Sequence, residues 1–419
     1  MRIIADFHIH SKYSRATSRD MDIGHIVEWA KRKGLNLIGT GDFTHPFWFG
    51  ELKSKLSEDG SGLLKLKNAD LENGSRFILT AEISCIYTQG GRTRKIHTIV
   101  FAPDFKTVAE LNDRLVSIGN ISSDGRPILG ISAKDLADLV LNINDKCLIV
   151  PAHAWTPWFS IFGSNSGFDT IEECYEDLTP YINSIETGLS SDPEMNWRLS
   201  SLDKVALMSN SDAHSPANLG REANVFEIDK EKLTYDEIID ILKKKDLSRF
   251  LYTIEFYPEE GKYHFDGHRN CNIVINPFEQ KYPGNLCPKC QKKLTIGVMN
   301  RVEELADRAT GHKDPTFPGS KHLVPLMEII AAAFSQGTSA KSVQNEYLNL
   351  VNSLGSELNI LLDMPEGELS KNIKPKIVDG IKRVRNGQIK VEPGYDGVYG
   401  KVNIFSGGDF EEPQQASLF

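Results

Sequence analysis

Histidine and carboxylate side chains recur in short motifs through the first 215 residues of the chain. Imidazole nitrogens together with carboxylate oxygens suit zinc, manganese or iron, and a carboxylate such as Glu82 can bridge two ions. We therefore predict a cluster of two to three divalent ions (Zn, Mn, Mg or Fe), with Asp212, Glu82 and His10 as its catalytic residues. The predicted metal ligands are His8, His10, Asp42, His45, Glu82, His97, His153, Asp212 and His214.

Neighbouring divalent ions favour one class of reaction. They generate hydroxide from water at neutral pH and bind the non-bridging oxygens of a phosphate group, so the cluster predicts a phosphoesterase. Arg15, Arg19 and Arg221 are candidates for neutralising charge on that group. Each of these arginines is equally consistent with an ordinary surface or salt-bridged side chain.

The predicted ligands fall at comparable places in an alternating pattern of strands and helices. His8 and His10 follow the first predicted strand, Asp42 follows the second and Glu82 the third, while His97 lies within a strand. Because active sites of parallel α/β folds lie at the carboxyl ends of strands, these distant residues can converge. The pattern predicts a mostly parallel sheet, open or closed into a barrel. Strands are predicted over residues 2–6, 35–40, 77–80, 95–101, 147–151, 184–186 and 205–209, and helices over residues 23–33 and 235–245.

A second metal site is predicted from His268-x2-Cys271, a 15-residue gap and Cys287-x2-Cys290. Four nitrogen and sulphur ligands in two pairs are typical of a structural zinc knuckle, which has no open position for a substrate. His264 is an alternative to His268, although the spacing of His268 to Cys271 mirrors that of the second pair. The three isolated cysteines are predicted to be buried thiols, namely Cys85, Cys147 and Cys174.

Composition limits the class of protein. The 419 residues carry a net charge of −9, which argues weakly against a basic nucleic-acid coat but leaves room for a local basic face. No apolar run approaches the roughly 18–20 residues that a membrane span needs. The N-terminal segment goes straight into a strand pattern without a signal-peptide layout. We therefore expect a cytoplasmic protein, associated with the nucleoid if it acts on DNA.

The motifs resemble those of the polymerase-and-histidinol-phosphatase (PHP) superfamily over about residues 1–245. That family carries a strand-terminal His-x-His, an Asp-His pair, a Glu, two single histidines and a final Asp-x-His. The resemblance implies a distorted seven-stranded α/β barrel, of (β/α)7 type, that holds up to three ions. Phe43 occupies the position where the family often has a histidine, so Asp42 or His45 is left to complete the third ion.

Three consecutive modules resemble the endonuclease Q family over essentially the full length. They are the PHP core, the YHFDGHR-C and CPKC module, and a helical segment that opens with LTIGVMNRVEELADR. The resemblance implies a DNA repair endonuclease that cuts on the 5′ side of deaminated bases (uracil, hypoxanthine, xanthine) and abasic sites. Basic clusters at residues 243–245, 289–293 and 382–385 are compatible with binding to backbone phosphates.

The modules divide the chain into four predicted parts. These are a PHP catalytic domain over residues 1–248, a zinc-binding module over 249–296, a mainly helical domain over 297–408 and a flexible tail over 409–419. The tail ends in QASLF, from Gln415 to Phe419, which resembles the peptide that binds the bacterial sliding clamp. A clamp is therefore a second predicted partner beside damaged DNA.

An aromatic loop follows the predicted ligand His153. It contains Trp155, Trp158 and Phe159, and aromatic density beside a metal site suits a wedge or a pocket for an extracted base. A capping hydrophobic patch explains the same residues equally well.

Two other functions remain as alternatives. A small-molecule phosphatase of the histidinol-phosphate type would need the metal cluster but neither the zinc knuckle, the helical domain nor the clamp-like tail. A non-catalytic DNA-binding or scaffold protein would retain the fold around a degenerate metal core.

Overall fold

A computed structural model describes residues 1–67, 74–279, 283–313 and 318–405. The strands are β1 (Arg2–Asp6), β2 (Leu37–Gly39), β3 (Leu56–Glu58), β4 (Leu64–Leu66), β5 (Arg76–Gln89), β6 (Arg92–Ala102), β7 (Ile128–Leu129), β8 (Leu148–Pro151), β9 (Ser184–Glu186), β10 (Ala206–Met208), β11 (Ala223–Glu227), β12 (Phe250–Glu255), β13 (Asp266–His268), β14 (Ile273–Ile275), β15 (Gly319–His322), β16 (Lys390–Glu392) and β17 (Lys401–Asn403).

The α-helices lie between and after these strands. They are α1 (Ile23–Lys33), α2 (Pro46–Lys55), α3 (Phe105–Val116), α4 (Ala133–Ile143), α5 (Ile171–Tyr175), α6 (Pro193–Asn196), α7 (Tyr235–Lys244), α8 (Val298–Leu305), α9 (Leu326–Phe334), α10 (Lys341–Leu354), α11 (Glu366–Asn372) and α12 (Pro375–Arg385). None of the described helices is long and apolar enough to cross a membrane.

Helix α1 shows why local sequence predicts local structure here. The Asp22 side chain caps its start by accepting hydrogen bonds from the amides of Gly24 and His25. Gly34 ends the helix with φ 92°, a left-handed conformation that glycine adopts without steric cost. The predicted bounds of this helix, residues 23–33, are confirmed.

The sheet is mixed rather than mostly parallel. Its 11 strands run in the order β15-β12-β11-β1-β2-β5-β4-β3, with β6 and β7 also paired to β5 and with β8 paired to β6. The pairs β1–β2, β2–β5 and β12–β15 are parallel, whereas β1–β11, β11–β12, β5–β6 and β6–β8 are antiparallel. Strands β9 and β10 form a separate parallel pair, so the strand pairing does not confirm a closed barrel.

The long hairpin of β5 and β6 is one reason why the sheet is mixed rather than mostly parallel. Gly90 and Gly91 connect the two strands with φ values of 60° and 72°, which is the turn geometry that two-residue hairpins require. The hairpin places Ser84 opposite His97. Glu82 consequently lies inside β5, and the prediction that it follows a strand was wrong because the strand continues to Gln89.

The helical region packs onto the sheet region through a shared hydrophobic core. One buried cluster contains Ile26 of α1 together with Ile329 of α9 and Ile377 of α12. A buried ion pair between Lys33 and Glu357, 2.8 Å from Nζ to Oε2, reinforces the contact. Beyond residue 248, β12 and β15 join the main sheet, so the sheet extends past the predicted catalytic domain.

Candidate metal centre

Four segments of the chain bring the predicted ligands together. His8 and His10 follow β1, and a parallel bridge between Ile9 and Ala213 holds them beside the segment that follows β10. That segment supplies Asp212 and His214, while the β5–β6 hairpin supplies Glu82 and His97. His153 follows β8. Strand ends and one hairpin therefore bring these predicted ligands close together.

Glu82 belongs to two of the three candidate ligand groups at this site. Its Oε2 atom lies 3.5 Å from His8 Nε2 and 3.3 Å from His10 Nε2. Its Oε1 atom lies 2.6 Å from His97 Nδ1 and 2.9 Å from His153 Nε2. One carboxylate thus faces two pairs of imidazoles, which is the geometry of a bridging ligand.

The third group consists of His10, Asp212 and His214. Asp212 Oδ1 is 3.0 Å from His10 Nε2 and 3.6 Å from His214 Nδ1. The three groups share members, because Glu82 belongs to two of them and His10 also belongs to two. Ions held in these groups would therefore be neighbours, as a phosphate-binding cluster requires.

Unpartnered polar atoms show that the site fits divalent ions. His8 Nε2, His10 Nε2 and Asp212 Oδ1 are buried and have no hydrogen-bond partner. Burying such atoms without partners is costly, and a metal ion would satisfy all of them. Nitrogen and carboxylate donors suit zinc, manganese or iron.

Carboxylates behind the site fix the histidine tautomers. Both oxygens of Glu186 lie 3.0 Å from His8 Nδ1, and Asp42 Oδ1 lies 3.0 Å from His10 Nδ1. Each imidazole donates its Nδ1 proton to the carboxylate, which leaves the Nε2 lone pair free for a metal. Glu186 also accepts hydrogen bonds from the His153 amide and from Asn210.

The prediction that Asp42 is a metal ligand is corrected by this arrangement. Its Oδ2 atom accepts hydrogen bonds from the Ser11 amide and hydroxyl and from the Ser14 hydroxyl, so its oxygens are already used. His45 also lies outside the ligand groups formed by the described residues. Its ring stacks on Tyr13 at 4.5 Å, at the start of α2.

Electrostatics keep the bridging group in its metal-binding form. Burial alone would favour a neutral carboxyl, but His97, Arg126 and His8 hold the pKa of Glu82 well below its usual range. Burial lowers the pKa of His97 to about 4, against the opposing effect of Glu82. At neutral pH the Glu82 carboxylate is therefore ionised, as a bridging ligand must be.

The backbone is unusual at two of the ligands. His153 has φ 42° and Asp212 has φ 46°, and both residues adopt the left-handed region that non-glycine residues rarely occupy. Gly188 packs so closely on His153 that a Cβ atom at position 188 would lie 2.6 Å from the His153 Cβ. Such conformations persist where the surrounding structure holds a functional side chain in place.

Sequence reasoning missed two functional residues. Arg126 Nη1 lies 3.0 Å from Glu82 Oε2. This arginine follows no predicted strand and belongs to no recognised motif, so its sequence context did not select it. Glu186 was detectable, because it is the last residue of a strand that the sequence did predict. The rule that strand ends carry the site would have selected it.

The predicted phosphate-binding arginines differ in position. The Arg15 side chain is 83% exposed and lies near Asp124, and Arg19 is also exposed. Arg221 is half-buried and donates to the Ser211 carbonyl through Nε at 3.0 Å and Nη2 at 2.8 Å. Arg221 therefore supports the backbone next to Asp212 and also faces the cavity beside the metal centre.

That cavity has a volume of about 670 Å³ and is bordered by His97, His153, Asp212 and His214. Its opposite walls are aromatic and come from the loop after β8, from the segment after β12 and from the turn before β17. These aromatic residues are Trp158, Phe159, Phe256, Tyr263 and Tyr399.

Trp155 is not part of the cavity lining, so its predicted role in substrate binding was wrong. It is 1% exposed, packs on Phe162 at 4.8 Å and donates from Nε1 to Asn196 Oδ1 at 2.8 Å. Because its indole N–H is already bonded to Asn196 inside the protein, Trp155 is a core residue. Trp158, in contrast, is 39% exposed.

The zinc-knuckle residues also converge. His268, Cys271, Cys287 and Cys290 place one ligand atom each within 4.8 Å of the others, and His268 Nδ1 lies 3.6 Å from Cys290 Sγ. His268 rather than His264 belongs to the group, because His264 is buried elsewhere. Cys85, Cys147 and Cys174 are buried as predicted.

Two comparisons with other proteins match part of the chain. A family model described as the MJ0043 C-terminal domain matches residues 325–388, which contain helices α9 to α12. The uncharacterized protein MJ0043 of Methanocaldococcus jannaschii is 34% identical over 255 residues, or 60% of this chain. The match covers only 31% of that relative's own length.

Other relatives match almost the whole chain. The uncharacterized protein YqxK of Bacillus subtilis is 27% identical over 422 residues, covering 96% of this chain and 99% of that protein. The crystal structure of the lesion-specific endonuclease PfuEndoQ from Pyrococcus furiosus has a TM-score of 0.84 at 33% identity, covering 96% of this chain and 95% of that one. A complex of Endonuclease Q with a 27-mer duplex that has an abasic lesion at the active site gives a TM-score of 0.83 at 33% identity, covering 97% of each chain. With this identity over nearly the full length of both chains, the chain belongs to the endonuclease Q family.

Proposed function

We propose that the chain is a DNA repair endonuclease that hydrolyses the phosphodiester on the 5′ side of deaminated bases and abasic sites. The deaminated bases are uracil, hypoxanthine and xanthine. The proposal includes the four-part domain organisation predicted from the sequence. It rests on the nearly full-length similarity to PfuEndoQ and to the Endonuclease Q complex with abasic DNA, combined with the site described above.

One observation carries the chemistry: His97 and His153, which share a ligand group with Glu82, line the aromatic cavity together with Asp212 and His214. Divalent ions held by these groups would activate water and neutralise charge on a phosphodiester. His8, His10, Glu82, His97, His153, Asp212 and His214 would hold them. The carboxylates of Asp42 and Glu186 keep the two N-terminal imidazoles oriented.

Two arginines are candidates for binding the phosphate. Arg126 is the only cation within ion-pair distance of Glu82 among the described lysines and arginines, and it would be free to bind a phosphate oxygen once Glu82 binds metal. Arg221 faces the cavity while it holds the Ser211 carbonyl. Planar guanidinium groups match the geometry of phosphate oxygens.

The cavity suits a nucleotide that has left the base stack. Trp158 packs edge-to-face on Tyr263 with ring centroids 5.6 Å apart, and Lys262 lies 5.8 Å from the ring of Tyr399. Aromatic faces stack on any base, whereas a lysine attracts the backbone. An extracted base is easiest to obtain where pairing is already weak, which favours damaged sites.

A lesion panel tests the function. Duplexes with one uracil, hypoxanthine, xanthine or abasic site, labelled at both ends, are incubated with the protein and Mn²⁺ or Mg²⁺. We expect a single nick 5′ of each lesion, no nick in the undamaged duplex and none after EDTA. Turnover of histidinol phosphate without nicking would instead support the small-molecule phosphatase.

The clamp contact is part of the proposal as well. Gln415–Phe419 lies outside the residues that the structure describes. A synthetic peptide with this sequence should bind a bacterial sliding clamp, and a Leu418→Ala, Phe419→Ala peptide should not. Equal binding of both peptides would remove the clamp from the proposal.

A further inference from the structure

A third group of metal-ligating side chains lies apart from the catalytic cluster and the zinc knuckle. Asp192 and Glu194 flank the start of α6, and His322 ends β15. Each offers one ligand atom, and these three atoms lie within 4.8 Å of one another. We propose that Asp192, Glu194 and His322 form an additional divalent-metal site that joins the loop after β9 to β15.

The distances suit a transition metal. His322 Nε2 lies 3.2 Å from Asp192 Oδ2. In a tetrahedral zinc site with bonds of 2.0–2.2 Å, neighbouring nitrogen and oxygen ligands lie about 3.3–3.5 Å apart. One imidazole and two carboxylates suit zinc or manganese. The imidazole matters, because carboxylates alone would not favour a transition metal over magnesium or calcium.

An ion pair between His322 and Asp192 does not account for the whole group. Glu194 Oε1 accepts a hydrogen bond from Ser320 at 2.9 Å, whereas its Oε2 atom is buried without any partner. A buried carboxylate oxygen without a partner is costly, and the Ser320 hydroxyl does not remove that cost. A cation between the three side chains does remove it.

A second unpartnered group points to the same place. His264 is 2% exposed, and its Nδ1 atom has no hydrogen-bond partner. It borders a cavity of about 180 Å³ together with Asp192 and Glu194. The cavity has room for a small ion with its water, and His264 borders this space together with the two carboxylates.

The site would have a positioning role. The loop that leads to Asp192 contains Gly188, Leu189 and Ser190, which form one wall of the aromatic cavity. Gly188 also packs against His153. An ion that fixes Asp192 to β15 would therefore hold this wall in place, without touching the reacting atoms. The inference concerns metal binding and does not depend on which DNA lesion is cut.

Metal stoichiometry tests the proposal. The full chain is loaded with Zn²⁺ or Mn²⁺, freed of loosely bound metal by gel filtration, and measured by inductively coupled plasma mass spectrometry. We expect Glu194→Gln to contain one equivalent less than the parent chain. This substitution retains an oxygen for Ser320 and leaves the His322–Asp192 pair intact, so an ion pair alone would be unaffected.

His25→Gln is the matched control. His25 forms a similar pair with Asp22 at 3.0 Å but belongs to no ligand group of the described residues, so this variant should keep every equivalent. His322→Gln serves as the second variant and should also lose one equivalent. Glu194→Gln and His322→Gln should both retain the maximal nicking rate on an abasic duplex but need more DNA to reach half of it, which separates this positioning site from the catalytic cluster. Equal metal content in the parent, Glu194→Gln and His322→Gln chains would overturn the proposal.

Discussion

At the scale of single residues, the site separates ligands from the groups that orient them. Asp42 and Glu186 contact the Nδ1 atoms of the two histidines after β1, whereas Glu82 and Asp212 face the Nε2 atoms. Carboxylates therefore have two roles here, and the ring nitrogen that each one faces distinguishes them. Strand-end position alone assigned Asp42 to the wrong role.

A pair of conservative substitutions tests this distinction. Asp42→Asn should weaken metal binding by about 10–100-fold, because loss of an orienting carboxylate lowers ligand basicity without removing a ligand. Asp212→Asn should abolish one ion site and the nicking activity. Chelator competition measures both affinities. If Asp42→Asn abolished metal binding as completely as Asp212→Asn, Asp42 would have to be a direct ligand.

Glu260 provides a prediction about pH. Burial, with the Glu328 and Glu259 carboxylates, raises the pKa of Glu260 to about 8 from a reference value of 4.5. The folded chain thus binds this proton more tightly than the unfolded chain. The resulting stabilisation is present below pH 4.5 and is lost as the pH rises through about 8. Between pH 5 and pH 8, the free energy of unfolding measured with urea should fall less in Glu260→Gln than in the parent. An equal fall in both chains would contradict the raised pKa of Glu260.

At the scale of elements, the sequence predicted most strands and helices that position the site. The apolar periodicity and the Asp22 and Gly34 caps were sufficient for α1, and the strand bounds of β1 and β9 were also predicted correctly. The β5–β6 hairpin was missed, because the apolar runs on either side of Gly90 were assigned as separate strands of a parallel sheet. Arg126 was missed for a physical reason: its contact with Glu82 spans 44 residues and depends on the folded loop.

The aromatic loop after β8 contains two tryptophans that should behave differently. Trp155→Ala removes a fully buried side chain and should lower the free energy of unfolding by about 3–5 kcal/mol. Trp158→Ala changes a partly exposed residue and should alter stability by about 0.5 kcal/mol or less. Trp158→Ala should instead weaken binding to a uracil duplex. Reversed effects in chemical denaturation and DNA binding would show that the two roles are exchanged.

The zinc module should depend on its four ligands. Cys290→Ser should lose one equivalent of zinc, because a closed tetrahedral site needs every ligand. Cys147→Ser is a suitable comparison, since burial raises the pKa of this thiol to about 12 and it belongs to no ligand group of the described residues. Atomic emission spectroscopy should find full zinc content in Cys147→Ser. Full zinc content in Cys290→Ser would contradict the knuckle.

At the scale of the whole molecule, the helical region and the sheet region form a common core. The buried pair of Lys33 and Glu357 lies at their contact, and Glu357 also accepts hydrogen bonds from Tyr347 and the Leu326 amide. Strand β15, which follows the zinc module, returns to the main sheet. The order of the modules could be predicted from the sequence. The pairing of β15 with the main sheet could not, because β15 has only four residues and no strong apolar pattern.

We propose that the Glu82-bridged cluster cuts DNA at a lesion. The most direct measurement compares the parent chain with Glu82→Gln on an abasic duplex, after both are loaded with Mn²⁺ and their metal content is determined. We predict that the parent nicks the strand 5′ of the lesion and that Glu82→Gln loses both cluster-bound metal and nicking. Undiminished nicking by Glu82→Gln would contradict the account.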